Sequence, residues 1–364
     1  MLMSVTTDFQ SIAPILAMQP AELDQYKLTL LDQIAAGQFD EASAVSIGHT
    51  LPFIQSMILW HDKKAIPPRH DELAPQRTVR VAKALLRLWQ HHPEPTERLI
   101  VGILATPRLG THGLDLLVQQ NAKQPHAAEL MHKLATTADR CATTEPAGSP
   151  IQLAALSLAA EVVPFLPAQH CQWFAHYVEV PCAEEDERCL AVKVRLARKL
   201  VEKDPDFYPQ THQLVMDSLQ PDHASEIWYE AQKLAQICLT TPDLAMHYGE
   251  AYYQRIASAL TLYKSNMDYE YKAIIPLIPT LAAAQPERTL PLWQLLETKL
   301  QDGLTQPHNK MVWDICTVMR GLEAQSETVA AYAKDEGRLI ANLQQAMQRH
   351  GGIKPAMAYG EGCD

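Results

Sequence analysis

The feature that most restricts this chain is an octet that returns every 38 or 39 residues. Val79-Arg80-Val81-Ala82-Lys83-Ala84-Leu85-Leu86 matches Val194-Arg195-Leu196-Ala197-Arg198-Lys199-Leu200-Val201. With the Arg as position zero, fair copies surround Ser157 and Lys233, and looser ones Lys272 and Lys310. The zero positions are 80, 157, 195, 233, 272 and 310. The double-length gap between 80 and 157 holds a recognisable helix near Leu114–Asn121 without the octet. A fixed period of this length is the mark of stacked supersecondary units.

At 100° per residue the apolar positions −1, +1, +2, +5 and +6 form one stripe, and position zero points away from it. Alanine at +2 (Ala82, Ala159, Ala197, Ala235) lets a neighbouring helix approach closely. A 38-residue unit leaves room for a second helix and two turns. Such a pair cannot bury its apolar face alone, so stacking is the stable solution.

The Val-Arg-x-Ala-x-x-Leu shape resembles the second helix of HEAT and armadillo repeats over residues 40–322. The period is slightly short for that class and longer than a tetratricopeptide unit; the fragment Tyr248-Gly249-Glu250-Ala251-Tyr252-Tyr253 does not recur at tetratricopeptide spacing. The expected fold is all-α, an α-solenoid of about seven helix pairs, with a non-repeating helical bundle as the alternative. The pairs are 40–61 with 75–91, 96–105 with 111–122, 126–143 with 150–166, 168–179 with 188–203, 207–219 with 224–239, 243–265 with 268–284, and 287–301 with 307–322. A lead-in and capping helix occupy 1–39, a second capping helix 323–350, and a flexible tail 351–364. Pro20, Pro75, Pro150, Pro242 and Pro286 stand near helix starts, where a missing N–H costs least. Pro276 and Pro279 must kink or shorten the helix that contains them.

Composition agrees. Hydrophobic residues are 47% of 364 and glycines number 14, ample for a core and poor in hairpin glycine. No Lys or Arg precedes Lys27 to open a secretory signal. The most apolar stretch, 151–168, is broken by Glu161, Pro164 and Pro167, so no membrane span is expected. Seven irregularly spaced cysteines suit reduced thiols in a cytoplasm.

The net charge of −11 argues against general nucleic-acid binding. Basic residues nevertheless cluster. Residues 76–90 carry Arg77, Arg80, Lys83 and Arg87 with no acid, and residues 188–203 carry six basic residues against Glu202. The zero-position cations form either a ladder of inter-repeat salt bridges and solvated surface, or a groove for an acidic protein or peptide. On the second reading the partner-binding residues are Arg80, Lys83, Arg87, Arg195, Arg198, Lys199 and Lys233. The acidic run Glu184–Glu187 suits a helix start through the macrodipole. Lys193 falls inside an apolar stripe and is expected to snorkel.

The fifteen histidines include His126-x-x-Glu129-x-x-His132. Its histidines lie about 120° apart around one helix and do not converge, and no second Glu-x-x-His exists to complete a carboxylate-bridged di-iron set. Cys171, Cys182 and Cys189 with His170 and His176 lack the close Cys pairs of structural zinc. No metal or cofactor is expected, and no phosphate loop, nucleophile elbow or His-Glu-x-x-His appears. The break 61–75, with Lys63-Lys64 and Asp71-Glu72, is long enough to serve as a docking element. The expected function is a non-enzymatic cytoplasmic scaffold that holds a protein or peptide in a solenoid groove. The alternative is a HEAT-like base-repair enzyme of the DNA-glycosylase type with a basic concave face.

Overall fold

A computed structural model describes residues 19–37, 54–55, 74–106, 109–179, 186–219, 225–262, 273–303 and 310–333. The described residues are helical, with no strand among them. In chain order the helices are α1 (Pro20–Ala35), α2 (Ala74–His91), α3 (Pro93–Leu104), α4 (Leu109–Asn121), α5 (Ala127–Thr144), α6 (Pro150–Val162), α7 (Ala168–Glu179), α8 (Glu187–Lys203), α9 (Tyr208–Ser218), α10 (Ser225–Thr240), α11 (Pro242–Leu262), α12 (Leu277–Ala284), α13 (Thr289–Gly303), α14 (Lys310–Gln325) and α15 (Glu327–Tyr332). Short 3₁₀ turns at Val163–Phe165, Pro205–Phe207 and Pro286–Arg288 join some of them.

The expected segments from 75 onward match helices α2 to α14 with ends shifted by a few residues, except 268–284, where α12 begins only at Leu277. The segments 40–61, 334–350 and the tail 351–364 lie outside the described residues, apart from two helical residues at 54–55. The terminal capping helix is described only as α15. Pro276 precedes α12 and Pro279 falls in its first turn, where no intrahelical N–H is needed. Residues 273–276 are a turn, so the proline pair shortens this helix to eight residues.

Helix ends follow from local chemistry. Ser149 caps α6 by accepting from the Gln152 N–H at 3.2 Å, with Pro150 in the first turn. Asp186, within the acidic run, accepts from the Cys189 N–H at 2.9 Å and caps α8. Gly37 follows α1 with φ +70°, a conformation that penalises any residue with a Cβ.

The chain divides into two compact units, Met1–Phe174 and Ala175–Asp364. In the first, α1 packs on α2, and consecutive helices from α2 to α6 pack on one another except across α4 and α5. Alternate helices also meet there: α2 touches α4, α4 touches α6, and α3 touches α5. In the second unit α8, α10, α12 and α14 touch in succession, as do α11, α13 and α15. Each unit thus has a row of even-numbered helices with odd-numbered ones beside it. The octets around Arg80, Ser157, Arg195 and Lys233 lie on even helices, and their stripe is the packed face, whereas the octet around Lys272 does not, since residues 273–276 within it form a turn ahead of α12. Ala82, Ala159, Ala197 and Ala235 are all fully buried, and so are Leu85, Val162, Leu200 and Cys238 at +5. The zero positions Arg80, Ser157, Arg195 and Lys233 are partly exposed.

Side-chain links between neighbouring repeats reinforce these rows. Glu97 pairs with Arg140, Glu250 with Arg288, and Glu230 with Arg198. Lys299 donates to the Thr261 carbonyl at 3.2 Å, and Gln285 to that of Ala245 at 3.3 Å. Most of these partners are separated by about one repeat length in sequence, so the period visible in the octets also governs the polar contacts.

Candidate functional site

The seven cations singled out in the sequence occupy different environments. On α2, Arg80 reaches Asp32 of α1 at 3.3 Å. Arg87 lies against Gly37, where an added Cβ would sit 2.6 Å from its Nη2; that guanidinium is part of the packing at the end of α1. Lys83 is exposed. On α8, Arg195 is half-buried, and Arg198 is enclosed by Glu230 of α10 and Glu202 of its own helix. Burial alone would lower the Arg198 pKa, but hydrogen bonds and charges from Glu230 and Glu202 outweigh it and raise it. Lys199 lies 3.6 Å from Glu202. Lys193, placed by its spacing in the apolar stripe, is buried there. Lys272 lies outside the described residues.

Lys233 on α10 stands in a different setting. Its Nζ is 5.7 Å from the centre of the Tyr229 ring and donates to Gln236 Oε1 at 3.3 Å. Tyr229, Lys233, Gln236 and Thr240 fall within about 60° of one another around the helix. Tyr229 is 56% exposed. This stripe leads to a cleft of 670 Å³ bounded by Thr240, Ala245, Met246, Thr280, Ala283 and Gln285. Met246 stands 79% exposed at its side. The Gln285 amide lies so close to α11 that a Cβ on Gly249 would come within 2.0 Å of it; glycine there permits the approach. The Gln285 Oε1 is buried without a hydrogen-bond partner. Exposed apolar side chains, a cation and an unanswered acceptor therefore share one edge of the second unit.

Neither Tyr229 nor Met246 stands out in the sequence. Tyr229 carries a signal there, since it lies four residues before a zero position and so on the polar side of its helix. Met246 carries none, because α11 has no octet.

Protein-family models and curated proteins give no match to this chain. Solved structures similar to it include a crystal structure of an engineered protein, at 12% identity and a TM-score of 0.42, the alignment covering 94% of this chain and 97% of that one. A likeness at that level carries no information about function.

Several further polar and thiol groups are buried in packed positions. Tyr208 on α9 hydrogen-bonds to Tyr252 of α11 and lies 3.3 Å from Nδ1 of His212, whose ring stacks on Tyr248 at 4.3 Å. Burial, aided by the charge of His247, lowers the His212 pKa. Burial pushes the Cys238 thiol up to about 12, as it does Cys316. Both remain protonated at neutral pH and are poor nucleophiles. Cys141, Cys171, Cys189, Cys238 and Cys316 are all buried and outside any disulfide.

His126 is engaged by Asn121, whose Oδ1 lies 2.9 Å from His126 Nε2 and whose amide donates to the carbonyls of Leu117 and Thr78. Burial and the Lys83 charge lower the His126 pKa. Among the described residues no group of three or more His, Cys, Asp or Glu side chains is placed to hold a metal ion. No helix among them is long and apolar enough to cross a membrane.

Proposed function

We propose that this protein is an α-solenoid scaffold whose paired helices present a surface for an acidic protein or peptide segment. The observation that carries the reading is the α10 edge, where Lys233 lies over the exposed Tyr229 and the same helical stripe runs to the cleft beside Met246. Tyrosine is over-represented among residues that dominate binding energy, and methionine is enriched at interfaces. Lys233 suits a carboxylate on the partner, and the unpartnered Gln285 Oε1 suits a backbone N–H. Within each unit, the row of even helices linked at repeat spacing supports the solenoid.

Several of the basic residues of α2 and α8 have acidic neighbours in their own unit. Arg198 and Lys199 are paired with acids of the same unit, and Arg80 with Asp32. That consumption of charge also weakens the nucleic-acid alternative, since phosphate binding needs cations that are available for it.

The test is a comparison of proteins retained from a native extract by the wild type, by Lys233→Glu, and by Tyr229→Ala/Met246→Ser, with circular dichroism as the folding control. The expected result is a partner retained by the wild type, released by added salt, and lost from both variants. Equal retention by all three refutes the site. A labelled DNA duplex is expected to show no anisotropy change at about 50 mM salt; salt-sensitive binding there would move the assignment to the nucleic-acid class.

A further inference from the structure

The single-helix pattern His126-x-x-Glu129-x-x-His132 does not converge, but the fold supplies His132 with a different neighbour. His132 on α5 meets His170 on α7, with ring centres 5.1 Å apart and planes inclined at 41°. Both rings adjoin Trp173, one turn further along α7. His170 stacks on the indole at 4.5 Å, and His132 lies 5.8 Å from it. His132 is exposed, whereas the Nδ1 of His170 is buried with no hydrogen-bond partner. Buried ring nitrogens normally have a partner, so this one is unanswered within the protein.

The separation can be compared with metal geometry. A metal–nitrogen bond of about 2.0–2.1 Å puts the centre of each imidazole about 3.2 Å from the ion, so two rings at square-planar or tetrahedral angles have centres about 4.5–5.2 Å apart. The observed 5.1 Å falls in that range. Stacking on Trp173 fixes the His170 ring plane, which reduces the rotamer freedom lost on coordination. Imidazole nitrogens suit late first-row ions, with Cu²⁺ held more tightly than Zn²⁺.

We infer that His132 and His170 form a two-imidazole site for a divalent late transition-metal ion, Cu²⁺ above Zn²⁺, between α5 and α7. Water completes the coordination, since no third His, Cys, Asp or Glu among the described residues joins the pair. Glu129, one turn before His132, is exposed and adds negative charge to the neighbourhood. The site is independent of the α10 edge and of its proposed partner.

Trp173 makes the site measurable, because a bound Cu²⁺ quenches an adjacent indole. The full-length protein is titrated with Cu²⁺ while tryptophan fluorescence is followed, and Zn²⁺ is then used as competitor. The expected result is a saturable loss complete at one equivalent, from one of the six tryptophans. Trp173→Phe is expected to abolish that component, and His132→Gln and His170→Gln each to weaken it at least about tenfold, the smaller loss that removing even an outer-shell partner brings. His126→Gln is expected to leave it unchanged. His132 is exposed, so its variant decides the matter even if His170→Gln folds poorly. Saturable quenching that survives His132→Gln or Trp173→Phe, or that His126→Gln removes, overturns the site. So does the absence of a saturable component at one equivalent.

Discussion

The contact between Arg198 and Glu230 is the sharpest test of how the repeats hold together. Both side chains are only 15% exposed, and the pair bridges α8 to α10. Exposed ion pairs contribute about 0–1 kcal/mol, while removing one partner of a buried pair costs about 3–5 kcal/mol because the other charge is left uncompensated. The burial here lies between those limits and nearer the second. Arg198→Met is therefore expected to cost about 2–3 kcal/mol, chiefly through the stranded Glu230. Glu230→Gln is expected to cost about 1–2 kcal/mol, since Glu202 still serves the guanidinium. Urea denaturation of the wild type, both single variants and the double variant gives the coupling energy, expected at about 1–2 kcal/mol. Arg80 and Asp32, at 30% and 54% exposure, provide the control and should couple by well under about 1 kcal/mol. A coupling below about 0.5 kcal/mol for Arg198 and Glu230 would refute the argument, because that is the scatter of independent sites.

Ala197 is fully buried in the face that α8 packs, so Ala197→Leu is expected to overpack it and cost about 1–3 kcal/mol in the same assay. Lys233→Ala should change stability by less than about 0.5 kcal/mol; a neutral Ala197→Leu would show that the packed face is misassigned. Stability is also expected to depend on pH through His212, whose pKa in the fold lies below its ordinary 6.5. The unfolded chain takes up the proton first as pH falls, so the contribution is intact above about 6.5 and declines from there toward the folded pKa. Denaturation of the wild type and His212→Gln between about pH 7.5 and pH 5 tests this: the variant should lose less stability over the interval, and parallel curves would remove His212 from the explanation.

Much of the helical architecture is legible in the sequence because it rests on local spacing. The period of the octets locates α2, α6, α8, α10 and α14, and their 100° geometry places Ala82, Ala159, Ala197 and Ala235 on the packed side, where all four are buried. Prolines and capping residues mark most of the starts, including Ser149 and Asp186. These are properties of one helix and its own neighbours in sequence. Lys193 belongs with them, since its angular position alone puts it in the stripe.

The partners of the polar side chains are a different matter. Position zero draws attention to Arg195 and Lys233, while Arg198 at +3 makes an ion pair from α8 to Glu230 of α10, because the offset and crossing of the two helices bring Glu230 to that point. In the sequence His132 shares a motif only with His126, six residues before it and too far around the helix to converge on it, whereas its ring lies against His170, thirty-eight residues on. Tyr229 and Met246 become a surface only when α10, α11 and α12 come together around one cleft. Helical periodicity states which way a side chain leaves its own axis. What stands opposite depends on the distance and angle between axes, and these are set by the packing of many side chains at once.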